Sequence, residues 1–315
     1  MLRGGRLLTL GRVERPLRPF HVKLLRGGGL YSIALARPRD ESGNMSNFDA
    51  QADRFDARAG LPEASWGRIA DAVVVMAGLR EGDRLLEIGA GTGQLGLRLL
   101  RRGLKYVALD LSSRMLGVFR GKLLPEMEKA GLLRADAAIA WPLAPRTVRA
   151  IFGSRSLHRL EPAHVAREAL RVAAPEGSVL LVGRVRRDPA STRSRLREEL
   201  QRRVAATGIP ARSGERETRR LIEACGVLGA RLVSPLAVAR WTVRESPRSS
   251  LDSWRAGAGL AGCDIGEALK REILEGLRSW SAETVGPLDA ETSSEETYVL
   301  EGACLTPAFA ERIAT

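Results

Sequence analysis

Buried strands alternate with amphipathic helices through the middle of this chain. Apolar strand patterns cover residues 84–88, 105–110, about 148–154 and 178–184, and another ends at Asp136. Glycine, proline and polar residues separate them from the helical patterns in between. Because each strand is almost uninterrupted in apolar character, we expect it to be buried on both faces, as in a parallel sheet. The alternation therefore predicts an α/β fold with helices on both faces of the sheet.

The expected helices begin and end at recognisable signals. Ser112 or Ser113 is a suitable N-cap, and the run Ala174-Pro175-Glu176-Gly177 ends a helix before the strand 178–184. Past residue 185 the elements are less regularly spaced. The predicted helices are 63–78, 93–102, 113–121, 161–173, 192–206 and 215–225, followed by a strand-like run at 230–243, a helical stretch at 247–283 and a last strand at 297–305.

Length and composition exclude several classes of protein. The chain has 315 residues, of which 44% are apolar, enough to bury a sizeable core, so disorder along its whole length is not expected. Its longest charge-free apolar stretches, 27–36 and 72–79, are shorter than the roughly 18 to 20 residues that span a bilayer. The cysteines, Cys225, Cys263 and Cys304, show no metal or disulfide spacing. We expect a cytoplasmic protein with no membrane span and no metal.

The net charge of +13 suggests an anionic partner, since clustered Lys and Arg displace counterions from phosphates. Arg supplies 45 of the 50 basic residues, a skew that also follows from the codon usage of a GC-rich genome. Residues 1–44 hold nine basic and three acidic residues, so +6 of the charge lies in this leader and +7 in the other 271 residues. The charge therefore favours nucleic acid as a partner less than it first suggests.

The leader, residues 1–44, has no sustained helical or strand periodicity and ends in a polar run before Met45. Three interpretations remain open. Translation starts at Met45, or the segment is an Arg-rich, acid-poor transit peptide, or it is a secretory signal with residues 30–36 as its apolar region. In each case we expect the leader to be disordered or to lie outside the fold.

A glycine-rich turn follows the first predicted strand. Gly89, Gly91 and Gly93 alternate with Ala90 and Thr92. Without Cβ atoms, such a turn can adopt positive φ and allows a ligand to approach the backbone closely. Because it lies at the carboxyl end of a strand, where open α/β sheets bind ligands, we expect a nucleoside-type ligand there.

Acidic residues at the strand ends decide between two ligands for this turn. Residues 91–96 also spell the G-x-G-x-x-G fingerprint of dinucleotide-binding folds, with Asp110 near the expected distance. However, Glu87 stands two residues before the first glycine, where it would repel a pyrophosphate. Glu87, Asp110 and Asp136 end the first three strands. This arrangement favours a ligand with an amino group, ribose hydroxyls and an adenine amine but no phosphates.

The segment Glu87–Gly93 resembles motif I of the class I S-adenosylmethionine-dependent methyltransferases, of the small-molecule, type 11 kind. The resemblance covers residues 48–184. It implies a Rossmann-like, doubly wound, mostly parallel sheet of seven strands with the last strand antiparallel, a helical insertion in the C-terminal part, and S-adenosylmethionine as cofactor. Further matches in chain order are the aromatic-Asp segment 48–56, the second strand 107–110, the acidic turn 135–137, the fourth strand and its loop 151–160, and the Pro-Glu-Gly turn 175–177.

The resemblance also implies roles for the residues of these motifs. Asp110 would accept hydrogen bonds from the ribose hydroxyls. Glu87 would pair with the methionine ammonium, Asp136 would hold the adenine amine, and Ala137 would offer a backbone donor. For each carboxylate, a purely local role in a turn or cap is the alternative. The expected cofactor-binding residues are Glu87, Gly89, Ala90, Gly91, Gly93, Asp110, Leu111, Asp136, Ala137 and Ser154.

Candidates for substrate chemistry lie after the fourth strand. His158 is the candidate general base, because a histidine takes up a proton near neutral pH, although it could instead pack on the next helix. Arg149 departs from the family's pattern, since an acidic residue is usual there, and the segment 48–56 has Phe where Tyr is common. Eight arginines between 184 and 203 form a basic strip that could attract an anionic substrate, follow RNA phosphates, or simply face solvent.

We therefore expect methyl transfer to a small molecule by in-line displacement, with residues 45–185 as the cofactor-binding core. Residues 186–315 would complete the sheet and shape the acceptor pocket with helical insertions. The alternatives are a catalytically inactive partner or assembly protein of the same fold, an NAD(P)-dependent oxidoreductase, and an RNA-modifying methyltransferase. The sequence predicts neither the acceptor atom nor the oligomeric state.

Overall fold

A computed structural model describes residues 24–27, 30–33, 61–127, 130–209, 213–257, 259–263 and 265–305. Within these residues, nine strands form one sheet. They are β1 (Leu24–Gly27), β2 (Leu30–Ile33), β3 (Arg84–Ile88), β4 (Lys105–Asp110), β5 (Gly131–Arg134), β6 (Ala150–Ser154), β7 (Val179–Arg187), β8 (Arg231–Glu245) and β9 (Thr292–Cys304).

The order of the strands across the sheet is β1-β2-β5-β4-β3-β6-β7-β9-β8. Strands β3 to β7 are parallel to one another, whereas β9 lies antiparallel between β7 and β8. The expected α/β fold, with a mostly parallel sheet and an antiparallel last strand, is confirmed. The order reverses direction at β3, so the glycine turn after β3 lies at the point where open sheets bind ligands.

The leader contributes two strands, which the sequence interpretation did not anticipate. Strands β1 and β2 pair antiparallel, and β2 extends the sheet by pairing parallel with β5 through Tyr31 with Leu133 and Ser32 with Arg134. Two residues, Gly28 and Gly29, separate the two strands in sequence. The expectation that residues 1–44 lie outside the fold is therefore wrong for 24–27 and 30–33, while Met45 and the segment 48–56 lie outside the described residues.

Helices cover both faces of the sheet. Among the described residues they are α1 (Glu63–Met76), α2 (Gly96–Leu100), α3 (Ser113–Gly121), α4 (Pro162–Val172), α5 (Thr192–Ala206), α6 (Gly214–Val227), α7 (Pro247–Ala256) and α8 (Glu267–Thr284). Ser112 is the N-cap of α3, since its side chain accepts a hydrogen bond from the backbone of Met115. No described helix combines the length and the apolar character that crossing a bilayer requires.

Several predicted elements have different bounds in the structure. Helix α2 begins at Gly96 rather than 93, because Gly93 adopts a φ of +79° that a helix cannot contain. The helical stretch 247–283 is two helices, α7 and α8. Strands β7 and β9 are longer than their apolar runs, because their charged ends pair with each other: Arg187 lies opposite Glu296, with their Nε and Oε1 atoms 2.6 Å apart.

Two apolar cores lie on opposite faces of the sheet. Helices α1, α2 and α3 cover the first, around Leu85, Phe119 and Phe152. Helices α4 and α6 cover the second, around Leu86 and Ile151. Because alternate residues of a strand point to opposite faces, β3 contributes Leu85 and Glu87 to one side and Leu86 and Ile88 to the other.

A third core belongs to the helical insertion. Helices α5, α7 and α8 pack around Leu196, Leu200, Leu251, Leu274 and Leu277, which are buried by one another rather than by the sheet. Trp254 and Trp280 pack against this cluster, whereas Trp241 packs against the first core. The insertion is thus a small helical unit with its own apolar centre.

Arg149 has a structural position at the amino-terminal edge of the sheet. It precedes β6, its backbone donates to the carbonyl of Arg84, and its buried guanidinium donates to the carbonyl of Gly177 and lies 3.7 Å from Asp83. The glycine turn is at the opposite, carboxyl-terminal edge. The departure from the family's pattern at Arg149 therefore bears on the stability of the sheet and not on the candidate site.

We expect Arg149→Ala to lower the free energy of unfolding by about 2 to 3 kcal/mol, because it leaves a buried carbonyl and Asp83 without their cationic partner. Urea denaturation measures the change. Arg146→Ala is the control, since Arg146 is exposed on the preceding turn and its loss should change stability by less than about 0.5 kcal/mol. Equal effects of the two substitutions would contradict the structural role of Arg149.

Candidate functional site

The glycine turn at the end of β3 has a backbone that only glycine adopts easily. Gly89, Gly91 and Gly93 have φ angles of +70°, +56° and +79°. The N–H of Gly89 donates to the carbonyl of Leu109 at 2.7 Å, which joins the turn to the neighbouring strand β4. Ala90 lies between these glycines and is buried.

Two of these glycines are also required by close packing. A Cβ on Gly89 would overlap the side chain of Ser156, and a Cβ on Gly93 would overlap the ring of Phe119. The same ring and the phenol of Tyr106 lie where a Cβ on Gly96 would be. The turn is therefore supported from below by two aromatic rings and closed at one side by Ser156.

Asp110 fixes the shape of the turn. Its Oδ2 accepts a hydrogen bond from the N–H of Gly91 at 2.8 Å, and its Oδ1 accepts one from the N–H of Ser112 at 2.9 Å. The carboxylate thus joins the glycine turn to the start of α3, with Leu111 between them. A carboxylate accepts several hydrogen bonds at once, so these backbone contacts are compatible with further donors.

Asp136 lies next to Asp110 but beyond the end of its strand. Strand β5 ends at Arg134, and the N–H of Ala135 donates to the carbonyl of Asp110 at 3.0 Å. Asp136 Oδ1 accepts from the N–H of Ala138 at 2.8 Å, and the carbonyl of Ala137 accepts from the indole of Trp141 at 3.1 Å. The structure therefore brings Asp136 and Ala137 to the same edge as Asp110 and the glycine turn.

Glu87 lies beneath this edge rather than on its surface. Its side chain points into the first core and accepts a hydrogen bond from the phenol of Tyr106. Burial, with a smaller contribution from the negative charge of Asp110, raises the pKa of Glu87 to about 8 against the opposing hydrogen bond of Tyr106. At neutral pH the carboxyl is mostly protonated, and a cation close by would favour its ionised form.

Ser154 is part of the same buried polar layer, which consists of Glu87, Tyr106, Ser154 and Tyr298. The Ser154 hydroxyl and the phenol of Tyr298 are 2.7 Å apart and share a hydrogen bond. Tyr298 comes from β9 and lies where a Cβ on Gly183 would be. Tyr106 and Tyr298 are members of the first core, Glu87 is buried beside them, and Ser154 is half-buried.

A cavity of about 450 Å³ adjoins the turn on the side of β7. His158 and Ser156 line it, together with residues of β7, α5 and α6. Ser156 also contacts the glycine turn, since its hydroxyl donates to the carbonyl of Ile88. The candidate base, His158, therefore lines a cavity that is separated from the glycine turn by the side chain of Ser156.

Comparison with known proteins identifies the part of the chain that carries this site. A family model described as a methyltransferase domain matches residues 85–177. A ribosomal RNA small subunit methyltransferase A of Anaeromyxobacter dehalogenans is 41% identical over 93 residues, which are 27% of this chain and 31% of that protein. An uncharacterized methyltransferase of Mycobacterium bovis is 38% identical over 103 residues, 33% of this chain and 40% of that protein.

Similarity in structure covers more of the chain than similarity in sequence does. A solved Bacillus halodurans chain, described as a candidate methyltransferase, superposes with a TM-score of 0.50 and 16% identity over 75% of this chain and 98% of its own. The matched segments span between about a third and two fifths of the length of these two curated relatives.

Residues 85–177 are a class I S-adenosylmethionine-dependent methyltransferase domain. S-adenosylmethionine is the cofactor of this family. The residues present fit it, because the carboxylates of Asp110 and Asp136, which can accept from hydroxyl and amine groups, lie beside the glycine turn. The cofactor-binding roles of the individual residues remain predictions.

The sequence analysis did not identify several residues that lie at the candidate site. Tyr106 could have been found, because the period of two places it on the same face of β4 as Asp110. Tyr298 and Ser156 carry no such signal, since their positions depend on β9 and on the loop after β6. Phe119 was predicted to be helical, but its contact with the glycine turn is a feature of the tertiary fold alone.

We expect Gly93→Ala to destabilise the domain and to weaken binding of S-adenosylhomocysteine, because it combines left-handed strain with overlap of the Phe119 ring. Gly82→Ala is the matched control: Gly82 has a φ of +83°, but a Cβ there would meet nothing within 4 Å. Strain alone should cost about 1 to 2 kcal/mol at Gly82, whereas Gly93→Ala should cost a further 1 to 3 kcal/mol or so. Urea denaturation and calorimetry measure both effects, and equal losses would contradict the packing argument.

Stability should fall with rising pH because of Glu87. Between about pH 5 and pH 8 the folded protein retains a proton that the unfolded chain has released, so the free energy of unfolding falls by up to ~1.4 kcal/mol per pH unit. Glu87→Gln, which resembles the protonated form, should remove this slope. Urea denaturation of both proteins across this range is the measurement. Parallel curves would show that Glu87 is ionised in the folded state.

Proposed function

We propose that the protein transfers a methyl group from S-adenosylmethionine to a small molecule bound in the cavity beside His158. One observation carries the proposal: Ser156 contacts the glycine turn on one side and lines the cavity on the other. The two candidate binding sites are therefore adjacent, as alignment of a methyl donor and an acceptor requires.

The carboxylates at the sheet edge would hold the cofactor. Asp110 would accept from the ribose hydroxyls, and Asp136 would accept from the adenine amine. Glu87 would ionise when the cofactor's ammonium group approaches, which gives that positive charge a counterion beneath the turn. The bound cofactor supplies an activated methyl group on a sulfonium, so the chain needs to provide alignment rather than activation.

The cavity would hold the acceptor. Its volume of about 450 Å³ is within the range of pockets that bind small molecules. His158 lines the cavity and would take up the proton that an oxygen or nitrogen acceptor releases. Where the acceptor atom carries no proton to remove, positioning alone would suffice, and that can supply up to about 7 to 11 kcal/mol in well-oriented reactions.

The site is less suited to a dinucleotide. A pyrophosphate binds the free N–H groups of a glycine turn, but the N–H of Gly91 already donates to Asp110. The negative charge of Asp110 at the turn would also repel phosphates. These two features of the turn favour the oxidoreductase alternative less than methyl transfer.

The decisive experiment incubates the full chain with S-adenosylmethionine labelled in its methyl group and a metabolite extract, with a total RNA fraction in parallel. We expect label in one or a few small molecules. Label in RNA alone would contradict the proposal and show that the protein is an RNA-modifying methyltransferase. Binding of S-adenosylhomocysteine without transfer to either fraction would favour an inactive partner protein, and binding of NADH alone would favour an oxidoreductase.

Asp110→Asn should weaken binding of S-adenosylhomocysteine about 10- to 100-fold, because the amide loses charge and can accept at only one of its two termini. Calorimetry measures the dissociation constant. Asp83→Asn is the control, since Asp83 lies at the opposite edge of the sheet beside Arg149 and should leave this affinity unchanged. Unchanged affinity in Asp110→Asn would remove Asp110 from the cofactor site.

A further inference from the structure

The cavity beside His158 is lined by more arginines than its carboxylates neutralise. The arginines are Arg155, Arg184, Arg186, Arg187 and Arg197, and the carboxylates are Glu198 and Glu215. Both carboxylates are exposed, and Glu215 is 3.8 Å from Arg184 and from Arg219. These two carboxylates therefore neutralise positive charge at the outer part of the cavity lining rather than in its interior.

Two of the arginines are held by the neighbouring strand. The Nε atom of Arg184 donates to Glu301, and the Nε atom of Arg187 lies 2.6 Å from Glu296. Both carboxylates belong to β9, which pairs with β7 along this edge. Because of these ion pairs, we assign Arg184 and Arg187 a structural role in holding β7 and β9 together.

Arg197 has no such partner. It lies on α5 and is partly buried, and no carboxylate or carbonyl in the described part of the chain pairs with its guanidinium. Burial first, and then the positive charges of Arg187 and Arg193, lower its pKa to about 10. The side chain remains protonated at neutral pH, so the cavity contains a desolvated positive charge that the described residues do not compensate.

We propose that the acceptor molecule carries an oxyanion, a carboxylate or a phosphate, which Arg197 binds inside the cavity. This inference rests on the proposed function, since it takes the cavity as the acceptor site. A guanidinium suits either group, because its planar fork matches two oxygens of a carboxylate or phosphate at once. Arg155, which also lines the cavity, adds to the positive potential that would attract such a molecule.

A binding role and a structural role for Arg197 make opposite predictions for the free protein. A structural arginine stabilises the fold, so its removal lowers stability. A buried charge that waits for a ligand destabilises the free protein, so Arg197→Gln should unfold at the same or a higher urea concentration than the wild type. The same substitution should weaken binding of an anion.

The first test measures binding of inorganic phosphate and of succinate by calorimetry at fixed ionic strength. We expect Arg197→Gln to bind the preferred anion about 10- to 100-fold more weakly, with Arg197→Lys in between because it keeps the charge but loses the fork. Arg195→Gln is the control: Arg195 is exposed on the same helix and donates to the carbonyl of Thr284. Equal anion binding in wild type and Arg197→Gln, or loss of stability in Arg197→Gln without anion, would overturn the proposal.

A second measurement locates the anion. Phenylglyoxal modifies arginines, and mass spectrometry gives the extent of modification at each one. Phosphate or succinate should slow modification of Arg197 several-fold and leave Arg195 unaffected. Equal protection at both positions, or protection at neither, would contradict an anion site at Arg197.

The last step separates this inference from the function on which it rests. The labelled product of the metabolite incubation is passed over an anion exchanger, where we expect it to be retained. Phosphatase treatment releases a phosphate ester and leaves a carboxylate retained. A labelled product that is not retained overturns the inference but leaves methyl transfer intact. Absence of both S-adenosylhomocysteine binding and transfer instead overturns the proposed function, whatever the anion measurements show.

Discussion

The carboxylate of Asp110 is the interaction on which the candidate site depends most. Its two oxygens accept from the backbones of Gly91 and Ser112, so one side chain joins the glycine turn to the start of α3. Helix α3 in turn places Phe119 beneath Gly93 and Gly96. Loss of the carboxylate would therefore change both the proposed cofactor contact and the shape of the glycine turn.

Two hydrogen-bonded pairs of polar side chains are buried at the first apolar core, and their hydrogen bonds compensate for the loss of water. Tyr106 donates to Glu87, and Ser154 shares a hydrogen bond with Tyr298. Burial keeps Glu87 mostly protonated in the free protein, with its pKa at about 8. A cationic ligand above the turn would compensate the negative charge of ionised Glu87, so the proposed cofactor binding would be coupled to proton release at this residue.

The sequence predicted the parts of the fold that local pattern determines. Apolar runs located the central strands, and glycine spacing together with the acids at strand ends located Asp110 and Asp136. It did not predict Tyr298, because no local pattern records which residue of β9 will face Ser154. The ends of β7 and β9 were also missed, since charged residues such as Arg187 and Glu296 extend those strands by pairing across them. In the leader, the short strands β1 and β2 depend on a free edge at β5 rather than on their own periodicity.

On helix α5, ion pairs distinguish arginines that amino-acid composition alone cannot tell apart. A solvated helix face in an Arg-rich protein explains Arg202 and Arg203, both of which pair with Glu199 on the same helix. It does not explain Arg197, which faces the cavity and has no carboxylate partner among the described residues. Glu199 thus provides a counterion for Arg202 and Arg203, whereas no described carboxylate does so for Arg197. The sequence does not reveal this difference between the arginines. Spacings of three and four residues show which charges share a helix face, but not which part of the protein that face contacts.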